Sequence, residues 1–280
     1  MALQTTINCG GTLIDVSTPK IMGIINATPD SFFEQSRSQS VASVLKMAEK
    51  MLDEGATFLD VGGCSTRPNA ATVSLKEELN RVIAPIKALK KAFPQATISI
   101  DTYRAEVATQ AVEAGATLVN DVGGGTLDDL MFSTIAELGV PYILTHIRGT
   151  PQTMQQNTSY DDLIFEVVNY LQKRIFILEK LGAKDIIIDL GFGFGKNLAQ
   201  NYGLIKNLPN FKTLFKNPIL VGVSRKSMVY KLLETTADQA LNGSTALHTF
   251  ALLNGANILR VHDVAPAVEA IKIVNAIQNA

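Results

Sequence analysis

An α/β protein of eight parallel strands, each followed by a helix and the whole closed into a barrel, is the fold this sequence predicts. Three observations carry the prediction. The dipeptide Gly-Ala recurs at Gly55-Ala56, Gly115-Ala116, Gly182-Ala183 and Gly255-Ala256, each time just ahead of an apolar run. Eight short apolar runs of this kind can be counted along the chain. Nearly every one ends in a residue with a charged or specific hydrogen-bonding group, and a barrel gathers such strand ends on one rim.

The repeat is the local rule behind the fold. Glycine just past an amphipathic segment stops a helix, and the short loop after it feeds a buried strand. Gly139-Val140-Pro141 ahead of Tyr142-Ile143-Leu144 does the same with other residues. Repeated helix–glycine–strand units pack as parallel βαβ. The strands are expected at Ile21–Asn26, Phe58–Gly62, Thr97–Asp101, Leu118–Val122, Tyr142–His146, Ile186–Asp189, Ile219–Val223 and Ile258–Val261. Helical stretches between them include Val41–Glu54, Leu75–Phe93, Arg104–Ala114, Tyr160–Leu181 and Pro266–Ile277. Residues 1–20 hold two short segments around Gly10-Gly11, read as a hairpin that caps the barrel bottom. The expected architecture is thus a (β/α)8 TIM barrel with a short N-terminal hairpin, an open doubly wound sheet being the alternative. No linker or low-complexity stretch divides residues 1–280, which are read as a single domain.

Composition fits that architecture and excludes several partners. With 46% apolar and 18% charged residues, the 280-residue chain has ample material for a sheet covered on both faces. A net charge of −1 gives no global field for nucleic acid or an anionic membrane. Any anion must be held locally. Cys9 and Cys64 show neither disulfide nor metal-ligand spacing, which suits a reducing compartment. The start, Met1 to Thr6, lacks the basic-then-apolar pattern of a signal peptide, and no apolar run is long enough to span a bilayer. The expectation is a cytoplasmic protein.

The expected rim carries Asn26, Gly62-Gly63, Asp101, Asn120-Asp121, Thr145-His146, Asp189, Ser224-Arg225-Lys226, Arg260 and His262. One polar strand end is unremarkable, but nearly eight of them on one rim are hard to read as solvated turns. Two connections are long and polar for βα loops: loop one from Asn26 to about Ser40, and loop two, Gly62-Gly63-Cys64-Ser65-Thr66-Arg67-Pro68. Arg67 in loop two could meet an anion bidentately. Gly191-Phe192-Gly193-Phe194-Gly195-Lys196 lacks the ending of a nucleotide phosphate loop and reads as a tight turn presenting Phe194 to a planar ligand. His146, His248 and His262 have no zinc spacing. His248, in a helical stretch, reads as packed or solvated rather than catalytic, and Cys64 as a filler thiol.

At these residues the sequence resembles the dihydropteroate synthase family over nearly its whole length. The matching segments are Met22 to Phe32, Gly63-Cys64-Ser65-Thr66-Arg67-Pro68, Ser99-Ile100-Asp101-Thr102 and Asn120-Asp121-Val122. Asp189 with Gly191 to Lys196, Ser224-Arg225-Lys226-Ser227, and Arg260-Val261-His262-Asp263-Val264 complete the set, in family order. The resemblance implies condensation of a 6-hydroxymethyl-7,8-dihydropterin diphosphate with p-aminobenzoate in folate biosynthesis, by a homodimeric, Mg²⁺-dependent transferase that is a sulfonamide target. It implies that Asp101, Asn120 and Asp189 hydrogen-bond the pterin, that Lys226 reaches its acceptor side and that Arg260 stacks on its face. Asn26 resembles the family's magnesium-binding residue, with Arg67, Arg260 and His262 around the diphosphate. Thr66, Arg67, Pro68, Phe194 and Ser224, with the stem of Lys226, would line the p-aminobenzoate site. Arg67, Lys226, Arg260 and His262 are the expected catalytic groups. The chain departs from the family where Glu34-Gln35-Ser36 replaces Asp-Gly-Gly, and at Cys64, Thr145 and Leu190. Two rival functions share the ring-binding residues: a corrinoid-linked methyltransferase, and a non-catalytic pterin-binding barrel. Neither needs both a diphosphate pocket and a second aromatic site.

Overall fold

The computed structural model describes residues 3–27, 37–64 and 73–280. Eight parallel strands close on themselves: β3 (Lys20–Asn26), β4 (Phe58–Gly62), β5 (Thr97–Asp101), β6 (Leu118–Asp121), β7 (Tyr142–Thr145), β8 (Ile186–Asp189), β9 (Ile219–Val221) and β10 (Ile258–Val261). Pairing of β10 with both β9 and β3 closes the ring and rules out the open sheet. Ahead of the barrel, β1 (Thr6–Cys9) and β2 (Thr12–Asp15) form an antiparallel hairpin. Its two-residue turn is Gly10-Gly11, both left-handed at φ +61° and +91°, a twist that suits the flanking strands.

The helices are α1 (Arg37–Asp53), α2 (Leu75–Ala92), α3 (Ala105–Glu113), α4 (Met131–Leu138), α5 (Leu163–Leu181), α6 (Leu198–Lys206), α7 (Leu208–Leu214), α8 (Ser227–Tyr230), α9 (Leu241–Leu253) and α10 (Val264–Gln278). The four repeat glycines, Gly55, Gly115, Gly182 and Gly255, all have φ between +100° and +119°, so the helix-stop reading holds at each. Some expected boundaries shift. Helix α5 starts at Leu163 rather than Tyr160 because the Asp162 side chain caps it, accepting from the Phe165 N–H at 3.0 Å. Strand β6 stops before Val122 because the chain turns at once, with the Asp121 carboxylate accepting from the N–H groups of Gly123 and Gly125.

Side chains alternate across each strand, and this period of two builds the interior. Outward residues such as Ile21, Leu59, Ile100, Val119, Leu144 and Val221 pack under the helices. At the barrel bottom, Met22, Phe58, Leu118, Ile143, Ile187, Leu220 and Ile258 point inward and meet Ile7, Cys9, Ile14 and Val16 of the hairpin in one buried cluster. The hairpin is therefore an apolar plug. Two residues further along the same strands stand Ile24, Asp60, Asn120, Thr145, Asp189, Gly222 and Arg260. One step of the pleat turns a hydrophobic layer into a largely polar one, and the site begins there.

Candidate active site

Arg260 of β10 is the centre of the polar layer. Its Nε donates to Asp60 Oδ2 at 2.6 Å and its Nη2 donates to Asp101 Oδ2 at 2.6 Å. Asn120 Nδ2 donates to the same Asp60 oxygen at 2.9 Å. Burial pulls the guanidinium down, but Asp60 and Asp101 outweigh it and raise its pKa. Asp101 is pushed up to about 7, above all by burial; Arg260 opposes this, and Asp60, Glu78 and Asp121 add to it. Asp60 was not among the residues singled out from the sequence. Its signal was its phase: a carboxylate two residues after Phe58 must face inward with it.

Asp189 ends β8 in the same layer. Its Oδ1 accepts from the Gly191 N–H at 2.8 Å, and burial raises its pKa against the opposing charge of Lys226. The carboxylate thus holds the following turn through Oδ1. Lys226 Nζ donates to the Phe192 carbonyl at 2.7 Å and stands 4.7 Å from the Phe194 ring centroid. Burial lowers its pKa to about 8, with Asp189 opposing. The Phe194 ring is only 7% exposed and packs with Val122, Ile147 and Met154, so the group it chiefly flanks is the Lys226 ammonium.

The turn that carries Phe192 and Phe194 is tied down by a buried lysine. Lys196 Nζ reaches the carbonyls of Gly191 and Phe194 at 2.9 Å each and His146 Nδ1 at 2.8 Å. Burial pushes Lys196 down to about 7, and burial with the nearby Lys196 charge holds His146 well below its ordinary value. A neutral imidazole accepts that bond, so His146 belongs to the turn's scaffold. Only glycine fits at 191: a Cβ there would lie 1.8 Å from the His146 carbonyl oxygen.

On the far side of Lys226, Ser224 Oγ lies 3.1 Å from His262 Nδ1 and accepts from the His262 N–H at 3.2 Å. Arg225, left-handed at φ +53°, grips Asp263 with two bonds of 2.7 and 2.9 Å and donates to the Ala237 and Asp238 carbonyls. It fastens the turn after β9 to the end of β10 and so sets where Ser224 and Lys226 stand. Asn26, exposed at the end of β3, shares with His262 a cavity of about 520 Å³ that Ile24 and residues of α1 complete.

The structure thus brings Asp101, Asn120, Asp189, Phe194, Ser224, Lys226, Arg260, His262 and Asn26 to one barrel mouth. Thr66, Arg67 and Pro68, and Glu34 of loop one, lie outside the described residues. Asp121 turns outward, accepting from the Tyr142 hydroxyl at 2.6 Å, and takes no place in the mouth. Burial, then Glu78, pushes the Cys64 thiol up to about 12, and burial pushes His248 down to about 4, as filler and packed residues should be. Among the described residues no group of three or more His, Cys, Asp or Glu could hold a metal ion.

A closed barrel whose mouth holds two inward carboxylates on one arginine, an amide, a third carboxylate and a half-buried lysine is the site of a protein in the class of pterin-binding enzymes, as the family match shows. Residues 22–262 match the family model described as "Pterin binding enzyme". Dihydropteroate synthase of Escherichia coli (strain K12) is 44% identical over 272 residues, which cover 95% of this chain and 94% of that protein. The Yersinia pestis dihydropteroate synthase solved in a sulfonamide drug complex superposes with a TM-score of 0.92 at 41% identity, covering 98% of this chain and all of that one (100%). The Xanthomonas albilineans dihydropteroate synthase in complex with 7,8-dihydropteroate gives a TM-score of 0.88 at 36% identity, covering 98% and 99%. The chain belongs to the dihydropteroate synthase family.

Proposed function

We infer that this chain condenses 6-hydroxymethyl-7,8-dihydropterin diphosphate with p-aminobenzoate, giving 7,8-dihydropteroate and diphosphate in folate synthesis. The observation that carries the reading is the Asp60–Arg260–Asp101 cluster, with Asn120, Asp189 and Lys226 around one mouth. A 2-amino-4-oxo ring offers an amino group and a ring N–H side by side, and a carboxylate such as Asp189 accepts from both. In this reading Asp101 and Asn120 accept on the same ring, Lys226 donates to its acceptor edge and Arg260 lies on its face. Ser224 and Phe194 are assigned to the neighbouring space for p-aminobenzoate; Thr66, Arg67 and Pro68, which the resemblance adds to it, lie outside the described residues. That space is where sulfonamides would compete.

The exocyclic C–O bond breaks first, diphosphate leaves with its electron pair, and the ring stabilises the cation on the exocyclic carbon. The arylamine nitrogen then bonds to that carbon and loses a proton to solvent. An amine that has attacked a cation is acidic, so no Ser–His–Asp arrangement is required. Arg67, Arg260 and His262 are assigned to the departing diphosphate, where preorganised cations and donors lower the barrier. Mg²⁺ fits the donor set: the exposed Asn26 amide oxygen is a hard ligand beside the His262 cavity, and magnesium normally divides its coordination among few protein groups, waters and phosphates. When bound, the ion would neutralise leaving-group charge. Cys9 and Cys64 are both free thiols, in keeping with a cytoplasmic location, and among the described residues no helix is long and apolar enough to cross a membrane.

Helices α9 and α10 leave Phe250, Leu253, Ile273 and Ile277 exposed, and a homodimer would cover such side chains. The deciding experiment for the reaction is diphosphate release. It should appear on adding p-aminobenzoate to protein, Mg²⁺ and pterin diphosphate; no release in that mixture would overturn the reading.

A further inference from the structure

We propose that Asp60 is a positioning residue for pterin recognition, fixing both the amide orientation of Asn120 and the attitude of the Arg260 guanidinium through a single carboxylate oxygen. The proposal deepens the reading above and rests on it. Asp60 sits in the interior of β4, fully buried, below the rim rather than on it. Its Oδ2 takes both Asn120 Nδ2 at 2.9 Å and Arg260 Nε at 2.6 Å.

The consequences follow from donor and acceptor inventory. An Asn side chain has one end that donates and one that accepts. With Nδ2 drawn down to Asp60, the only side-chain hydrogen bond Asn120 makes among the described residues, its Oδ1 is left as the acceptor for a ligand. Without that anchor the amide can turn over and offer a donor to the donor edge of the ring. Arg260 is held at Nε by Asp60 and at Nη2 by Asp101, and two anchors on different strands fix the guanidinium plane. Asp60 would therefore set the hydrogen-bond polarity of one ligand contact and the geometry of another while touching neither ring nor amine.

Stability alone does not account for the residue. Its second oxygen, Oδ1, is buried with no hydrogen-bond partner among the described residues. A buried carboxylate so arranged bears a desolvation cost that an apolar side chain would avoid. Like charge acts on Asp101 from three sides: Asp60, which shares Arg260 with it, Glu78 of α2, which is paired with Arg104, and the outward Asp121 of β6 all help burial to hold Asp101 up at about 7, with Arg260 opposing.

The test measures binding of 6-hydroxymethylpterin by calorimetry across pH for three proteins. Asp60→Leu keeps similar bulk and removes the acceptor. Asp60→Asn keeps an acceptor oxygen for Arg260 and Asn120 but removes the charge. Expected are a loss of roughly 30-fold or more in Asp60→Leu, the scale of one unmatched contact in a desolvated site, and recovery to within a few-fold in Asp60→Asn. Asp60→Asn should also shift the acid limb of binding to lower pH, because one charge that raises Asp101 is gone and Arg260 serves Asp101 alone. That shift decides the matter even where Asp60→Leu does not fold. Asp60→Leu that is folded and binds like wild type, or an unmoved acid limb in Asp60→Asn, overturns the proposal. Wild-type protein that fails to bind the pterin would instead overturn the functional reading itself.

Discussion

Asp189→Asn perturbs the pterin contact while leaving the scaffold nearly untouched. The carboxylate has two tasks, one seen and one proposed: Oδ1 accepts from the Gly191 N–H at 2.8 Å, and under the proposed reading Oδ2 accepts from the ring. An asparagine can keep the first task by pointing its oxygen at Gly191. Its Nδ2 then replaces Oδ2, and two donors face each other where the ring's amino group and N–H should bind. The opposite rotamer would set Nδ2 against the Gly191 N–H, so the turn itself selects the damaging orientation. Leaving one partner of a buried charged hydrogen-bond pair unmatched costs roughly 2–5 kcal/mol. At about 1.4 kcal/mol per tenfold this is on the order of 30- to 4,000-fold in pterin affinity. The fold should survive, since the change is isosteric and lies at the functional rim of the barrel. Calorimetry with the pterin diphosphate, alongside circular dichroism to confirm folding, reads the effect. A folded variant that binds within a few-fold of wild type would reduce Asp189 to a cap on its turn and remove it from the site.

Other expectations follow from the same geometry. Metal should bind measurably only when the diphosphate is present, because Asn26 alone is a weak hard-ion site; full turnover in excess chelator would refute a Mg²⁺ requirement. The pH profile of kcat/KM should be bell-shaped: Asp101, held up to about 7, must lose its proton to accept from the ring, and Lys226, held down to about 8, must keep its own to donate. Activity therefore rises as pH climbs through the first value and falls as it climbs through the second, and a flat profile from about pH 6 to about pH 9 would contradict the assignment. Sedimentation of the purified chain should give a dimer that Phe250→Asp weakens; a wild-type monomer would refute the dimer.

The strands were legible almost to the residue because each is a short buried run, and five of the eight follow a left-handed, helix-stopping glycine (Gly55, Gly115, Gly139, Gly182 and Gly255), a signal local in sequence. Helices α4, α6, α7, α8 and α9 were not assigned individually. Helix α9 shows why: Leu241–Leu253 mixes apolar and small residues around its whole circumference, with Ser244 and His248 buried and Phe250 and Leu253 exposed, so no 3.6-residue stripe stands out. In the site, reading strand ends found Asn26, Asp101, Asn120, Asp189 and Arg260, but treated neighbours alike. Asp121 ends its strand as plainly as Asn120 does, yet is out of phase with the inward Leu118 and serves Tyr142 and the following turn instead. Asp60 failed the opposite way, being in phase but short of the end. The Lys196–His146 pair could not be read from strands at all, since it joins the ends of two neighbouring connections 50 residues apart.

Parity is therefore the rule that divides stability from chemistry in this barrel. Seven inward residues of the bottom layer, from Met22 to Ile258, are apolar and packed on the hairpin. Advancing each by two gives the layer that contains Asp60, Asn120, Asp189 and Arg260, whereas advancing by one gives Gly23, Leu59, Val119, Leu144, Ile188, Val221 and Leu259, a wholly different set bound for the helices. A one-residue slip of any strand would exchange the two sets, so the plug that fixes register also fixes the site. One member of the upper layer has no side chain. A Cβ on Gly222 would stand 3.8 Å from both Lys226 Nζ and Arg260 Cβ, filling the space between the two cationic side chains. Under the proposed reading that space receives the acceptor edge of the pterin, opposite the carboxylates that receive its donors. The layer then presents donors on one side and acceptors on the other, which is the complement of a 2-amino-4-oxo ring.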